Sequence, residues 1–195
     1  KILDDNENIL KSIQKHLFID CNKDELTETS NKEKQIRYIT RTSINNGCEL
    51  LADITNVDEV CIEEENAVTI GDTTATCFYQ AEQFITGDHM VVIRADWLNE
   101  IIGLYIVAIL NKEQYKYSYG RAYLMERICD TNIRLPVLHN KDNTIFIDET
   151  CMYSDKGYIP DWKYMESYIE SLYHKPLTTK NVKSSKILLE LDKWK

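Results

Sequence analysis

The chain has 195 residues, 43% of them hydrophobic, and a formal net charge of −9. That is ample apolar material for one domain with its own core and awkward for two, and six glycines with three prolines exclude collagen-like and low-complexity chains. The acidity argues against a free nucleic-acid binder of the usual basic kind, and the longest apolar run, residues 101–110, is too short to span a bilayer.

The chain begins at Lys1 rather than Met, which reads as a processed chain or a piece of a longer one. Ile9, Ile13 and Leu17 recur at helical spacing and predict a short amphipathic helix over 7–17. Residues 22–34 (NKDELTETSNKEK) are polar and read as a linker, and residues 36–40 (IRYIT) alternate as a strand does. Asn45-Asn46-Gly47 is a turn signal, because Asn and Gly tolerate positive φ. Two hairpins are expected next. Residues 67–70 and 74–80 flank Gly71-Asp72, residues 84–86 and 89–93 flank Gly87-Asp88, and each glycine suits the first central position of a II′ turn. A helix follows from Trp97 to about Gln114, with Asp96 as N-cap; Gly103 inside it either costs stability or marks close packing. Residues 127–135 read as a strand ended by Pro136, and residues 143–147 as one more. Asp161 caps a late helix whose apolar stripe is Trp162, Met165, Tyr168 or Ile169, and Leu172, with Pro176 beyond its end. Residues 186–194 suggest a final helical turn or two. The sum is one α+β domain, a hairpin-rich mixed or antiparallel sheet with two or three helices, over 36–175. An N-terminal helix and linker occupy 1–35 and a tail 176–195.

Motifs of chemistry are absent. Six widely spaced cysteines without a C-x-x-C pair argue for reduced, mostly buried thiols in a cytoplasmic protein. His16, His89, His139 and His174 form no metal-ligand spacing, so no metal is expected. There is no G-x-S-x-G, P-loop or G-x-G-x-x-G. Asp161-Trp162-Lys163 echoes a nuclease D-x-K, but it opens a helix and lacks an upstream acid. Glu63-Glu64-Glu65 reads as a solvated loop. The chain is expected to be non-catalytic.

Charge is unevenly spread. Lys112, Lys116, Arg121, Arg127 and Arg134 face only Glu113, Glu126 and Asp130 between positions 112 and 134. Within that segment KYSYGR (116–121) crowds two cations, two aromatic rings, a hydroxyl and a glycine directly after the apolar helix.

Several segments, in order, resemble the target-recognition domain of restriction-modification systems, found in type I specificity subunits and in fused adenine methyltransferases of the type IIB and IIG enzymes. They are YITRTSINNG (38–47), VTIG (68–71), CFYQ (77–80), FITGDH (84–89), YSYGR (117–121), IRLP (133–136), GYIPDW (157–162) and MESYI (165–169). The resemblance implies a module that reads a half-site of duplex DNA. It directs an adenine-N6 methyltransferase, and in some systems an endonuclease, carried by a partner subunit or fused domain. A second specificity module is a further implied partner. No cofactor is expected on this chain, S-adenosylmethionine belonging to the methyltransferase.

Reading duplex DNA takes hydroxyls, amides and cations for phosphates, and Arg, Lys, Asn or Gln for base edges. The candidates are Thr40, Arg41, Ser43, Asn45 and Asn46 on one loop, Thr73 and Thr74 at a hairpin tip, and Lys116, Tyr117, Tyr119 and Arg121 in KYSYGR. Arg41 suits guanine and the asparagines adenine. Plain turn chemistry explains Asn45 and Asn46 equally, and a helix C-terminus explains Lys116 and Gly120. Trp162, Met165, Tyr168 and Ile169 are expected to pack against a partner or neighbouring domain, or simply in the core. The alternative function is an acidic protein-interaction or DNA-mimic domain that regulates such an enzyme; it predicts no duplex binding to lose when Arg121 and Lys116 are removed.

Overall fold

Alternation over 35–39 does build a strand. In the computed structural model, which describes residues 12–15, 21–118 and 120–173, β2 (Gln35–Ile39) buries Ile36, Tyr38 and Ile39 and leaves Gln35 and Arg37 half-exposed. β2 pairs antiparallel with β3 (Cys48–Asp53) and parallel with β6 (Phe84–Thr86), a three-stranded mixed sheet. The β2–β3 link takes the expected turn: Asn45, Asn46 and Gly47 hold φ of 49°, 54° and 77°, a region that Asn and Gly enter at little cost.

A second sheet is antiparallel, in the order β1-β7-β4-β5. Its inner strands β4 (Ala67–Gly71) and β7 (Met90–Arg94) are near-continuous apolar runs, as burial on both faces demands. β5 (Cys77–Gln80) is an edge strand. The other edge is β1 (Ser12–Lys15), which runs against β7 in the register Ser12 to Arg94. This corrects the helix expected over 7–17 for those four residues; the rest of that helix, Pro176 and the helical turn at 186–194 lie outside the described residues.

Three apolar clusters separate four layers. Val68, Ile70, Val91 and Ile93 face Ile102, Ile106 and Leu110 of α1 (Glu100–Glu113), together with Met165 of α3 (Trp162–Tyr173). Val92 and Met90 face Ile39, Cys48 and Phe84 of the other sheet. Ile36, Tyr38, Ala52 and Ile85 are covered by Cys21, Leu26, Ile54, Val57 and Ile62 from the 3₁₀ turns and loops. Each fully buried Ile, Leu or Met contributes about 1.5–3 kcal/mol of burial. The Cys77 thiol in this interior is pushed up to about 12 by burial, which keeps it protonated and unreactive.

Six expectations change. The residues around Gly87 form no hairpin, because β6 and β7 belong to different sheets. The β4–β5 pair exists, but its link runs over 71–76, with Ala75 rather than Gly71 at positive φ, so it is no II′ turn. α1 is capped by Asn99, whose side chain accepts from the Ile102 amide at 2.9 Å, and not by Asp96. Residues 127–135 hold no strand: α2 (Met125–Cys129) starts the segment, burying Ile128 while Met125 and Cys129 pack partly against the same cluster. Residues 143–147 make only isolated bridges, His139 to Ile145 and Ile147 to Tyr158. Asp161 does cap α3, accepting from the Tyr164 amide at 2.9 Å. Glu63 is no solvated residue; it pairs with Arg94 at 2.9 Å. Among the described residues no helix is long and apolar enough to cross a membrane.

Gly103 marks close packing. A Cβ there would stand 2.3 Å from Cδ2 of Tyr79, and that ring is tethered by its hydroxyl to Asn66 Oδ1 at 2.8 Å. Alanine would improve helix propensity by about 1 kcal/mol, but overpacking costs about 1–3 kcal/mol and the tethered ring has little room to yield. Gly103→Ala is therefore expected to lower the urea midpoint despite its better propensity.

Candidate nucleic-acid interface

The link over 71–76 is fixed from three sides. Asp72, 1% exposed, sends Oδ2 to His89 Nδ1 at 2.9 Å and its amide to the His89 carbonyl at 3.1 Å, while its own carbonyl accepts from the Tyr123 amide at 2.5 Å. His89 Nε2 meets Asp88 at 3.0 Å. Anchored this way, the link lifts Thr73 and Thr74 toward solvent. Arg41 Nη1 donates to Thr73 Oγ1 at 3.4 Å, a long contact, and Thr74 Oγ1 donates to the Arg41 carbonyl at 3.2 Å. Gly71 lets the two loops meet, since a Cβ on it would stand 3.2 Å from Arg41 Cα. On its opposite flank, Gln114 Nε2 donates to the Thr74 carbonyl at 2.8 Å. One short link therefore joins the Arg41 loop to the end of α1.

Thr40, Arg41 and Thr42 line a cleft of about 520 Å³ with Tyr38, Glu49 and Asp88; Ser43 is exposed beside them. Lys23 hydrogen-bonds Glu49 and holds its carboxyl below the ordinary range. Asn45 and Asn46 are committed elsewhere. Asn45 Nδ2 donates to the Cys48 carbonyl at 3.1 Å, and Asn46 Nδ2 to the Tyr79 carbonyl at 2.9 Å, with Gln80 Nε2 returning a bond to the Asn46 carbonyl at 3.2 Å. These amides stitch the β2–β3 turn to itself and to β5, and they do not join Arg41 in its cleft.

KYSYGR follows α1 through a 3₁₀ turn, Gln114–Lys116. Backbone bonds in both directions between Ser118 and Arg121 close a tight turn that leaves Arg121 exposed; Tyr119 lies outside the described residues. Lys116 pairs with Glu113 and stands 5.7 Å from the Tyr115 ring centroid. Tyr117 is half-buried, stacked on Tyr123 at 4.0 Å and 23°, so it braces the turn from inside.

Lys116, Tyr117 and Arg121 line a cleft of about 340 Å³ with Arg127, Asp130, Thr131 and Asn132. An adjoining cleft shares Lys116 and Asn132 and adds Ile109, Lys112, Glu113, Ile133 and Arg134. Five cations thus meet two carboxylates on a chain of net charge −9. Arg127, Asn132 and Arg134 were not among the sequence candidates. The charge bias over 112–134 carried their signal, but a strand reading of 127–135 would have sent alternate side chains to opposite faces.

Of the packing candidates, Met165 and Ile169 are buried and Trp162 stacks on Trp97 at 4.8 Å. Tyr168 is 45% exposed, edge-on to Tyr105 at 6.0 Å. Tyr164, Tyr168, Leu172 and Tyr173 of α3 are all exposed.

The sequence model for the type I restriction modification DNA specificity domain matches residues 14–147 of the chain. That span holds Arg41, Thr73, Thr74 and all five cations, and it ends before α3. A relative, the Type II restriction enzyme BgcI specificity subunit S.BcgI of Heyndrickxia coagulans, is 28% identical over 137 residues, which are 69% of this chain and 34% of that protein. The chain thus spans about a third of this relative's length. No solved structure matches the chain significantly.

Proposed function

The chain belongs to the type I restriction modification DNA specificity domain family, and from that membership we propose that it reads one half-site of duplex DNA and directs an adenine-N6 methyltransferase, with or without an endonuclease, to that site. The observation that carries this reading is the gathering of Lys112, Lys116, Arg121, Arg127 and Arg134 around two joined clefts of an acidic chain. Arg121, Arg127 and Arg134 hold phosphates or guanine edges, and Thr73, Thr74 and Ser43 supply hydroxyls to the backbone. Arg41 is the base reader of the neighbouring loop. Asn45 and Asn46 serve better as scaffold, because reading adenine would cost them their bonds to Cys48 and Tyr79.

The chain's overall acidity keeps its non-specific affinity low and leaves part of the groove's positive charge to a partner. That partner is a methyltransferase subunit or fused domain, which carries S-adenosylmethionine and the chemistry, or a second specificity module. The exposed side of α3, with Tyr164, Tyr168 and Leu172, is the surface offered to it, and the cytoplasm is the expected compartment. A DNA mimic would array carboxylates where this surface clusters cations, so that reading is disfavoured.

Selection of duplexes from a random library by the purified chain tests the function. Enrichment of one short motif at low salt is the expected result; recovery of the library unchanged would overturn it.

A further inference from the structure

Beside the basic clefts lies a cavity of about 370 Å³ whose lining includes Arg134, Pro136, Tyr153, Ser154, Tyr158 and Pro160. It shares Ile133 and Arg134 with the cleft that holds Lys112 and Lys116. Its walls are set by the fold. The Leu138 amide donates to the Ile159 carbonyl at 2.8 Å and the Asp161 amide to the Pro136 carbonyl at 2.9 Å, which holds Pro136 and Pro160 side by side. Ile147 bridges to Tyr158, and Tyr153 is braced edge-on against Trp162 at 5.8 Å and 71°.

We propose that this cavity receives a base swung out of the duplex, an inference that rests on the DNA-reading function above. Flat tyrosine and proline walls present apolar faces of the kind on which a heterocycle stacks. Among the described residues the one charged lining residue is a cation, Arg134, placed at the boundary with the basic cleft where the displaced nucleotide's phosphate would follow its base. Among the described residues no carboxylate lines the cavity. Its size lies within the range of pockets that enclose small organic ligands, and a base that is already unpaired enters at the lowest cost.

The probe is a pair of duplexes of one sequence, the first fully paired and the second carrying a single bulged 2-aminopurine. The chain is expected to bind the bulged duplex about 10-fold more tightly, the scale of one base stacked on an aromatic ring, and to change the 2-aminopurine emission on binding. Tyr153→Ala and Tyr158→Ala should each shrink that gain, and Tyr158→Leu, which keeps the apolar volume, should shrink it too with an unchanged melting temperature. Arg121→Ala should weaken both duplexes alike. Equal affinity for the two duplexes, or a gain that survives all three tyrosine variants, would overturn the inference while leaving DNA reading intact. Absence of binding to either duplex would overturn both.

Discussion

Tyr123→Ala will lower the unfolding free energy by about 3–5 kcal/mol, the cost of truncating a fully buried aromatic ring. Tyr123 is 1% exposed, lies in the cluster under α1 and stacks on Tyr117. Its hydroxyl donates to Thr131 Oγ1 at 2.8 Å, and Thr131 in turn donates to the Arg127 carbonyl at 2.7 Å. Tyr123→Phe keeps the ring and loses one buried hydrogen bond, so it will cost only about 1 kcal/mol. Urea denaturation of the two variants separates ring from hydroxyl; equal losses would mean that the ring's packing contributes nothing. Alkaline pH gives an independent reading. Burial pushes the Tyr123 phenol well above its ordinary value. Its contribution is therefore fully present below the unfolded value of about 10 and is lost as pH rises from there through the folded value, because the unfolded chain releases its proton first. The Phe variant should show a shallower alkaline decline.

Arg121→Ala will weaken duplex binding uniformly across sequences and reduce the salt slope by about one, if its exposed guanidinium neutralises a phosphate. Adding Arg134→Ala will deepen the loss to about 10- to 100-fold at low salt and reduce the slope by about two. Lys116→Ala will do less, because Glu113 already shares its charge. Arg41→Ala is expected to behave differently. Its loop is pinned to the 71–76 link by Thr73 and Thr74, so the lost arginine will relax preference at one base pair by about 1–3 kcal/mol and change the salt slope little. Fluorescence anisotropy against salt, with the selected motif and its single-base variants, distinguishes the two behaviours. A chain whose duplex affinity ignores all four substitutions would not be a DNA reader.

Local signals were strong where a segment's own residues decide its conformation. The apolar run over 101–110 builds α1, alternation builds β2, Asp161 caps α3, and Asn45-Asn46-Gly47 turns because those residues accept positive φ. The cation bias over 112–134 was likewise visible. Pairing partners were not. Residues 84–86 and 90–94 have hairpin patterning, yet one strand joins β2 and the other joins β1 and β4, because the apolar faces they must bury lie in different layers and burial outweighs proximity in sequence. α2 was missed because five residues are too few for a helical period to register.

By itself, then, the sequence determined an α+β chain with an uneven charge distribution, the Asn45-Asn46-Gly47 turn and the two longer helices α1 and α3, all properties set by short-range sterics and periodicity. Only the tertiary structure decided that Arg41 meets Thr73, that Asn46 is bound to β5 instead, and that cations from α1, KYSYGR and the α2 segment share one surface. Those juxtapositions depend on which buried polar groups find partners across the layers, as Asp72 does with His89 and Tyr123. A buried donor or acceptor left unpaired costs about 1–3 kcal/mol wherever its partner lies in the chain, and no window of neighbouring residues contains that information.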